Sequence, residues 1–172
     1  MAIRFANMAG GVLRGTDSRD ILWGRDGHDT ILGFGSADII HGGYGNDDLI
    51  GGSGADHLRG AAGVDTIRGG SGPDLLSGGG DTDYFVFRIV DGTATDTIRD
   101  FTVGEDQLVL GGGMTVDPDA SFRADIDFDG RTDTVLTLSN SATIVLLGVD
   151  DAQDWSTAGP NVMRLSEFDL LA

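Results

Sequence analysis

GGYGNDDLI, from Gly42 to Ile50, and GGSGADHLR, from Gly51 to Arg59, are consecutive copies of one pattern, G-G-x-G-x-D-x-U-x, with U a bulky apolar residue. The register extends without insertion from GTDSRDILW (Gly15 to Trp23) to GGGDTDYFV (Gly78 to Val86). That makes eight nonapeptides with Asp at the sixth position and an apolar residue at the eighth. Each divides into six residues of turn and three of strand. In the strand DLI, Leu49 points to one side and its neighbours to the other. The inward set is then Leu22, Ile31, Ile40, Leu49, Leu58, Ile67, Leu76 and Phe85. Glycines at positions two and four supply backbone conformations costly for other residues and let carbonyl oxygens converge on a point. Convergent carbonyls plus a carboxylate suit a hard cation. Calcium takes six to eight oxygens at about 2.3–2.6 Å, whereas magnesium demands stricter octahedral geometry and keeps its waters.

The whole chain agrees with that reading. Its 172 residues, 40 % hydrophobic, suffice for one domain or one repeat array with a cap. The formal charge of −17, from 28 acids against 11 basic residues, would repel nucleic acid and anionic membranes and attract cations. Residues 15–86 alone carry 12 Asp and 4 Arg, a net −8 that repels itself until neutralised. One inward residue in nine is a thin core for so glycine-rich a backbone, so bound ions are expected to contribute to folding. The absence of Cys excludes disulfides, thiolate chemistry and cysteine-based zinc sites. The N-terminus has no apolar h-region, and the longest strongly apolar run is Ile144 to Leu147, so neither a cleaved signal peptide nor a membrane span is expected.

Residues 15–86 resemble the parallel β-roll of RTX proteins, the secreted bacterial toxins, proteases, lipases and polysaccharide-modifying enzymes built on hemolysin-type calcium-binding repeats. The resemblance implies an all-β fold, a right-handed, β-helix-like solenoid with two nonapeptides per coil and a C-terminal β-rich cap. It also implies calcium clamped between repeats 18 residues apart. In the family pattern one turn gives the carbonyls of positions two and four with its Asp, and the next gives those of positions one and three with its Asp. Carried onto this chain, that implies six sites. On one edge they are Thr16, Ser18 and Asp20 with Gly33, Gly35 and Asp38; Phe34, Ser36 and Asp38 with Gly51, Ser53 and Asp56; and Gly52, Gly54 and Asp56 with Gly69, Ser71 and Asp74. On the other they are Arg25, Gly27 and Asp29 with Gly42, Tyr44 and Asp47; Gly43, Gly45 and Asp47 with Gly60, Ala62 and Asp65; and Ala61, Gly63 and Asp65 with Gly78, Gly80 and Asp83. Interior aspartates each bridge two ions, and six Ca2+ would bring −17 to about −5.

The chain departs from the pattern where Ser18, Ser36 and Asp81 stand at position four and Thr16, Arg25, Phe34 and Ala61 at position two. Strain is expected there, with weaker sites at Ser18 and Ser36. Asp17 and Asp26, at position three of the first two repeats, are either ligands for ions at the open end or solvated turn residues. Residues 6–14 keep the register with Leu13 inward but Gly11 in place of Asp, so residues 1–14 read as a degenerate covering turn.

Residues 87–172 read as the cap, with strands expected at Asp83–Phe87, Asp96–Phe101, Asp106–Leu110, Thr134–Leu138 and Thr143–Leu147. Gly78 to Leu110 is similar to the segment that closes the roll in secreted RTX proteases and epimerases, which makes Asp96 and Asp100 candidates for completing the last sites. Asp125, Asp127, Asp129 and Asp133 sit at EF-hand-like spacing around Gly130, but Leu136 replaces the bidentate Glu. The stretch is either a further calcium loop or a hairpin turning at Asp129-Gly130. The tail, Leu165 to Ala172, couples acids to apolar residues, as the uncleaved type I secretion signal of RTX proteins loosely does. A terminal amphipathic helix is the competing reading.

His28, His41 and His57 occupy positions five, nine and seven and read as solvated residues sharing no face. H-E-x-x-H, G-x-S-x-G and P-loop motifs are absent, so no catalysis is expected. Trp23 and Trp155 either stack sugars or cover apolar surface. The expected function is a secreted, extracellular, monomeric calcium-binding module that folds on calcium after passing the type I secretion machinery. Two alternatives are a non-catalytic module of a larger secreted enzyme, binding extracellular polysaccharide, and a calcium-dependent adhesion or matrix protein.

Overall fold

The computed structural model describes residues 2–5, 10–124, 126–149 and 162–164. Its strands are β1 (Ala2–Phe5), β2 (Gly11–Thr16), β3 (Asp20–Asp26), β4 (Asp29–Gly35), β5 (Ile39–Tyr44), β6 (Asp48–Ser53), β7 (His57–Ala62), β8 (Thr66–Ser71), β9 (Leu75–Gly80), β10 (Tyr84–Phe87), β11 (Thr95–Ile98), β12 (Gln107–Leu110), β13 (Val116–Ala124), β14 (Asp133–Leu138), β15 (Thr143–Leu146) and β16 (Val162–Arg164). Among the described residues no helix is long and apolar enough to cross a membrane.

Through the repeats, successive strands join two sheets alternately. One sheet has the order β1-β3-β5-β7-β9-β11-β15-β14-β13, the other β16-β12-β10-β8-β6-β4-β2. Two nonapeptides make one coil, so equivalent residues of successive coils pair in parallel. Leu22, Ile40, Leu58 and Leu76 form one inward column; Leu13, Ile31, Leu49, Ile67 and Phe85 form the other. The expected all-β parallel roll is thus the observed fold.

Each inward position packs on the same position one coil away, which leaves no room for water between the sheets. Leu49 is 0 % exposed, with Ile31 and Ile67 fixed beside it by the backbone ladder. Leu49→Ala should leave a cavity that these neighbours cannot close, costing about 2–5 kcal/mol. Urea denaturation of the calcium-loaded protein would read the loss.

The strands are longer than the three residues expected. β6 continues into the next nonapeptide, because Gly52 stays in the ladder between Phe34 and Gly70. The turn proper shrinks to positions four to six. Pairing with the neighbouring coils keeps Gly52 in the ladder at φ 114°, where local sequence alone suggests a turn.

Past β10 the coil lengthens. The aspartate spacing grows from 18 residues to 22 between Asp74 and Asp96 and 23 between Asp83 and Asp106, yet Ile98 still stacks on Leu76 and Leu108 on Phe85. β15 extends the nine-stranded sheet in parallel, and β14 and β13 finish it antiparallel. All five strands expected from the C-terminal half are present. β13 was not legible: its VDPDASFRA lacks alternation and contains Pro118, tolerable on an edge strand whose pairing shifts register between Asp117 and Phe122.

Candidate metal centre

Two ladders of aspartates run along the edges of the roll. The backbone N–H of each Asp donates to Oδ1 of the Asp one coil on: Asp20 to Asp38, Asp38 to Asp56 and Asp56 to Asp74 on one edge, at 2.7–2.9 Å. Asp29 donates to Asp47, Asp47 to Asp65 and Asp65 to Asp83 on the other, at 2.8–2.9 Å. These carboxylates are 0–3 % exposed. Their second oxygens, Oδ2 of Asp29, Asp38, Asp47, Asp56, Asp65, Asp74 and Asp83, are buried with no hydrogen-bond partner. Buried, unpartnered carboxylate oxygens are costly, and a row of them at one repeat position calls for a cation.

Carbonyl oxygens stand beside those atoms. A methyl group placed on Gly42 would lie 2.3 Å from Asp47 Oδ2 and 2.8 Å from the Gly60 carbonyl oxygen; on Gly60 it would meet Asp65 Oδ2 at 2.1 Å and the Gly78 oxygen at 2.7 Å. Position one is glycine in all eight repeats, and the reason is this close approach, since none of these residues has a left-handed φ. Position-three carbonyls of Tyr44, Ala62 and Ser71 accept the N–H of Gly27, Gly45 and Gly54 at 2.8 Å, keeping a second lone pair. Among the described residues no three carboxylate or histidine side chains converge. From Gly15 to Gly60 each position-one glycine thus has a carboxylate oxygen and a backbone carbonyl oxygen beside it, the oxygen donors that suit calcium.

The expected strain is present at Arg25 (φ 85°), Phe34 (77°), Ser36 (70°), Ala61 (95°) and Asp81 (72°), all left-handed without being glycine. The first turn differs: Thr16 and Ser18 avoid the left-handed region. There the Thr16 hydroxyl donates to Asp20 Oδ2 at 2.8 Å, and Ser18 N–H donates to that hydroxyl at 3.2 Å. Asp20 Oδ2 thus already has a partner where Oδ2 of each aspartate from Asp29 to Asp83 in the ladders has none.

Burial pushes Asp38 and Asp47 up to about 6, Asp65 and Asp83 to about 7 and Asp74 to about 8, against the lowering effect of the ladder N–H; neighbouring carboxylates add to the rise. Proton affinity this high marks sites that strongly favour any positive charge.

Asp96 takes the next rung of one ladder: its Oδ1 accepts Asp74 N–H at 2.9 Å. Asp100 sits elsewhere, its oxygens accepting Gly78 N–H at 3.0 Å and the Ser77 hydroxyl at 2.5 Å. The last rung of the second ladder is Asp106, whose Oδ1 accepts Asp83 N–H at 2.9 Å. Sequence reading missed it, although Asp106-Gln-Leu108 and Asp96-Thr-Ile98 repeat the D-x-U signal. Asp17 lies exposed in its turn and Asp26 exposed at the end of β3. Asp125 falls outside the described residues. Asp127 and Asp129 accept N–H bonds of Asp129 (3.1 Å) and Arg131 (2.8 Å), and buried Asp133 bridges Ile126 N–H and Gly148 N–H, both at 2.7 Å. The segment turns between the antiparallel strands β13 and β14, in line with the hairpin reading.

The reading of the histidines needs correction. His41 and His57 line one open groove on the outer face of the nine-stranded sheet, about 500 Å³, together with Ile39, Arg59, Leu75 and Arg99. Positions seven and nine both flank the inward eighth residue and so share the outward face, and these two belong to adjacent coils, Ile39 pairing with His57 and His41 with Arg59. His28 alone sits at a turn, its Nδ1 accepting Asn46 N–H at 2.7 Å. Trp23, 41 % exposed, stacks on His41 with centroids 4.2 Å apart. Trp155 lies outside the described residues.

The family model of the RTX calcium-binding nonapeptide repeat matches residues 10–33, 32–67 and 59–87. The AlgE6R3 subunit of the mannuronan C5-epimerase from Azotobacter vinelandii, solved in solution, is similar at 30 % identity and a TM-score of 0.54, over 74 % of this chain and 78 % of that one. The extracellular lipase LipA of Serratia marcescens aligns at 18 % identity over 95 % of this chain and 40 % of that one, with a TM-score of 0.39. No curated protein matches the chain. Ladder, glycine column and repeat match agree, and the chain belongs to the RTX family as a calcium-binding repeat module similar to an epimerase subunit.

Proposed function

We propose that this chain is a secreted module whose roll, residues 15–86, folds on binding extracellular calcium at about six sites. In this reading residues 1–14 are a covering turn and residues 87–172 the cap. The observation that carries it is the row of buried, unpartnered aspartate oxygens at one position of successive repeats. Calcium at about 10⁻⁴–10⁻³ M, the affinity range of extracellular modules, would fill such sites outside a cell and leave them empty in the cytosol. Export through type I secretion belongs to the same reading, its signal assigned to Leu165–Ala172, outside the described residues.

The ligands are those implied by the repeat pattern, with Asp96 and Asp106 as further acceptors beyond Asp74 and Asp83. The Asp20 site is expected to be the weakest, because the Thr16 hydroxyl competes for its carboxylate. Isothermal titration of calcium into chelator-treated protein, followed by circular dichroism, tests the proposal, and a chain that binds no calcium would sink it. Asp65 serves two sites, so Asp65→Asn should lower the ion count by up to two, whereas a loss at the first site alone should cost one.

A second reading, a non-catalytic polysaccharide-binding module of a larger enzyme, is supported by the likeness to a subunit of an epimerase of mannuronan. The third, a calcium-dependent adhesion or matrix protein, would appear as calcium-dependent self-association.

A further inference from the structure

The core of the roll is open at its N-terminal end. Ile31, Leu49, Ile67 and Phe85 are 0 % exposed, whereas Leu13, at the end of their column, is half-buried. The facing column ends in a charge, because Arg4 pairs with Leu22 and stands exposed. β1 and β2, the outermost strands of the two sheets here, lie against each other and each carry an exposed arginine, Arg4 and Arg14. This end is also the basic part of the molecule: residues 1–25 hold four arginines against two aspartates, a net +2 on a chain of −17. Arg25 lies over the Phe5 ring, 4.4 Å from its centroid, but among the described residues Arg4, Arg14 and Arg19 form no ion pair. A half-covered leucine with guanidinium groups around it suits a partner that presents an apolar group flanked by carboxylates.

The molecule carries such a group at its other end. Between β13 and β14, Phe128 is 89 % exposed and holds a left-handed backbone, φ 61°. The left-handed aromatic Phe34 is fixed by strand pairing on both sides, whereas Phe128 belongs to no strand. Backbone strain and full exposure at one aromatic tip mark a binding element. Asp127 and Asp129 bracket the ring, their Oδ1 atoms accepting the N–H of Asp129 at 3.1 Å and of Arg131 at 2.8 Å. Residues 116–133 hold six aspartates against two arginines.

We infer that the Phe128 tip of one copy plugs the open core of a second copy, its ring on Leu13 and its flanking Asp127 and Asp129 on Arg4 and Arg14. The socket must belong to another molecule: β1 and β13 are the two ends of a nine-stranded sheet, about 38 Å apart at about 4.8 Å per strand. One plug and one socket at opposite ends make the contact heterologous, so copies add in a row instead of closing into a dimer. Six Ca2+ would bring the net charge from −17 to about −5, which lowers the repulsion between copies, so calcium favours association without entering the contact. The inference rests on the third reading above, calcium-dependent self-association, and names its surfaces. A single loop buries little area, and the expected affinity is weak, high micromolar to millimolar.

The test is sedimentation equilibrium of the full, calcium-loaded chain. Wild type is expected to form a concentration-dependent series of oligomers that reverts to monomer in chelator. Phe128→Gly removes the ring and relieves its left-handed strain, so this variant should stay monomeric with its urea midpoint unchanged or raised. Arg4→Glu, at an exposed site, should stay monomeric too. An equimolar mixture of the two should form a 1:1 complex and nothing larger, since it holds one working plug and one working socket. A monomeric wild type overturns the inference together with the self-association of the third reading. The inference alone is overturned if either variant associates as strongly as wild type, if wild type stops at dimers, or if the mixture stays monomeric or grows beyond two. Should Arg4→Glu lower the calcium count or the circular dichroism, Arg4→Gln is measured in its place, with the same outcomes decisive.

Discussion

At pH 7.5 a chelator is expected to abolish most of the β-sheet circular dichroism of this chain, and millimolar calcium to restore it. The folded roll stacks aspartates at 0–3 % exposure, with Oδ2 of each ladder aspartate from Asp29 to Asp83, and both oxygens of Asp29, unpartnered. Without a cation, those ionised groups carry their full desolvation cost. The pH dependence separates this cause from a general effect of ionic strength. Folded-state values near 6 for Asp38 and Asp47, near 7 for Asp65 and Asp83 and near 8 for Asp74 lie above the unfolded value near 3.8. The calcium-free fold therefore binds more protons than the unfolded chain between about pH 4 and pH 8. Its stability from these groups is fully present below the unfolded value and is lost as pH rises through the folded ones. In chelator, the folded fraction should grow as pH falls from 8 to 5, measured in dilute solution because the pI is about 4.1. Calcium binding in the same window should release protons, visible as calorimetric heats that change with buffer ionisation enthalpy. A chelated chain equally folded at pH 8 and pH 5 would contradict this.

Gly60→Ala should be among the most damaging single substitutions, although it adds one methyl group at an ordinary φ. That methyl would stand 2.1 Å from Asp65 Oδ2 and 2.7 Å from the Gly78 carbonyl oxygen. Neither can retreat: Asp65 is tied to Asp47 N–H through Oδ1 at 2.8 Å, and Gly78 is held by Asp100 at 3.0 Å. We expect a loss on the order of 4 kcal/mol, at the upper end for single substitutions, and weakened calcium binding at the sites sharing Asp65. Gly80→Ala is the control, with nothing within 4 Å of the added carbon. Equal midpoints in urea for the two variants would remove the packing explanation of the glycine column.

The register of D-x-U triplets every nine residues was enough to define the inward columns, the two-repeat coil implied by the family, and the position of each acid. Leu49 and Ile67 pair as that register requires. The same triplet was present at Asp96 and Asp106, but loops of other lengths precede them. Only the ladder, which tolerates 22- and 23-residue coils as long as the strands stay in register, shows that they continue the two edges. β13 escaped because an edge strand with Pro118 is selected by its partner β14 and not by its own propensity.

What the sequence by itself determined is the repeat, the core and the ion class, since these depend on residue type at a fixed period. Three features needed the tertiary structure. Position-one glycines are required by an aspartate oxygen and a carbonyl one coil away, not by backbone conformation. The first turn stays out of the left-handed region and ties the Thr16 hydroxyl to Asp20. His41, His57, Arg59 and Arg99, up to 58 residues apart (from 41 to 99), share one groove. In the first and third, stacking coils brings together atoms far apart along the chain, Gly42 with the Gly60 carbonyl and His41 with Arg99, a proximity no local pattern of residues carries; the second closes within one turn, whose backbone conformation the residue pattern does not specify.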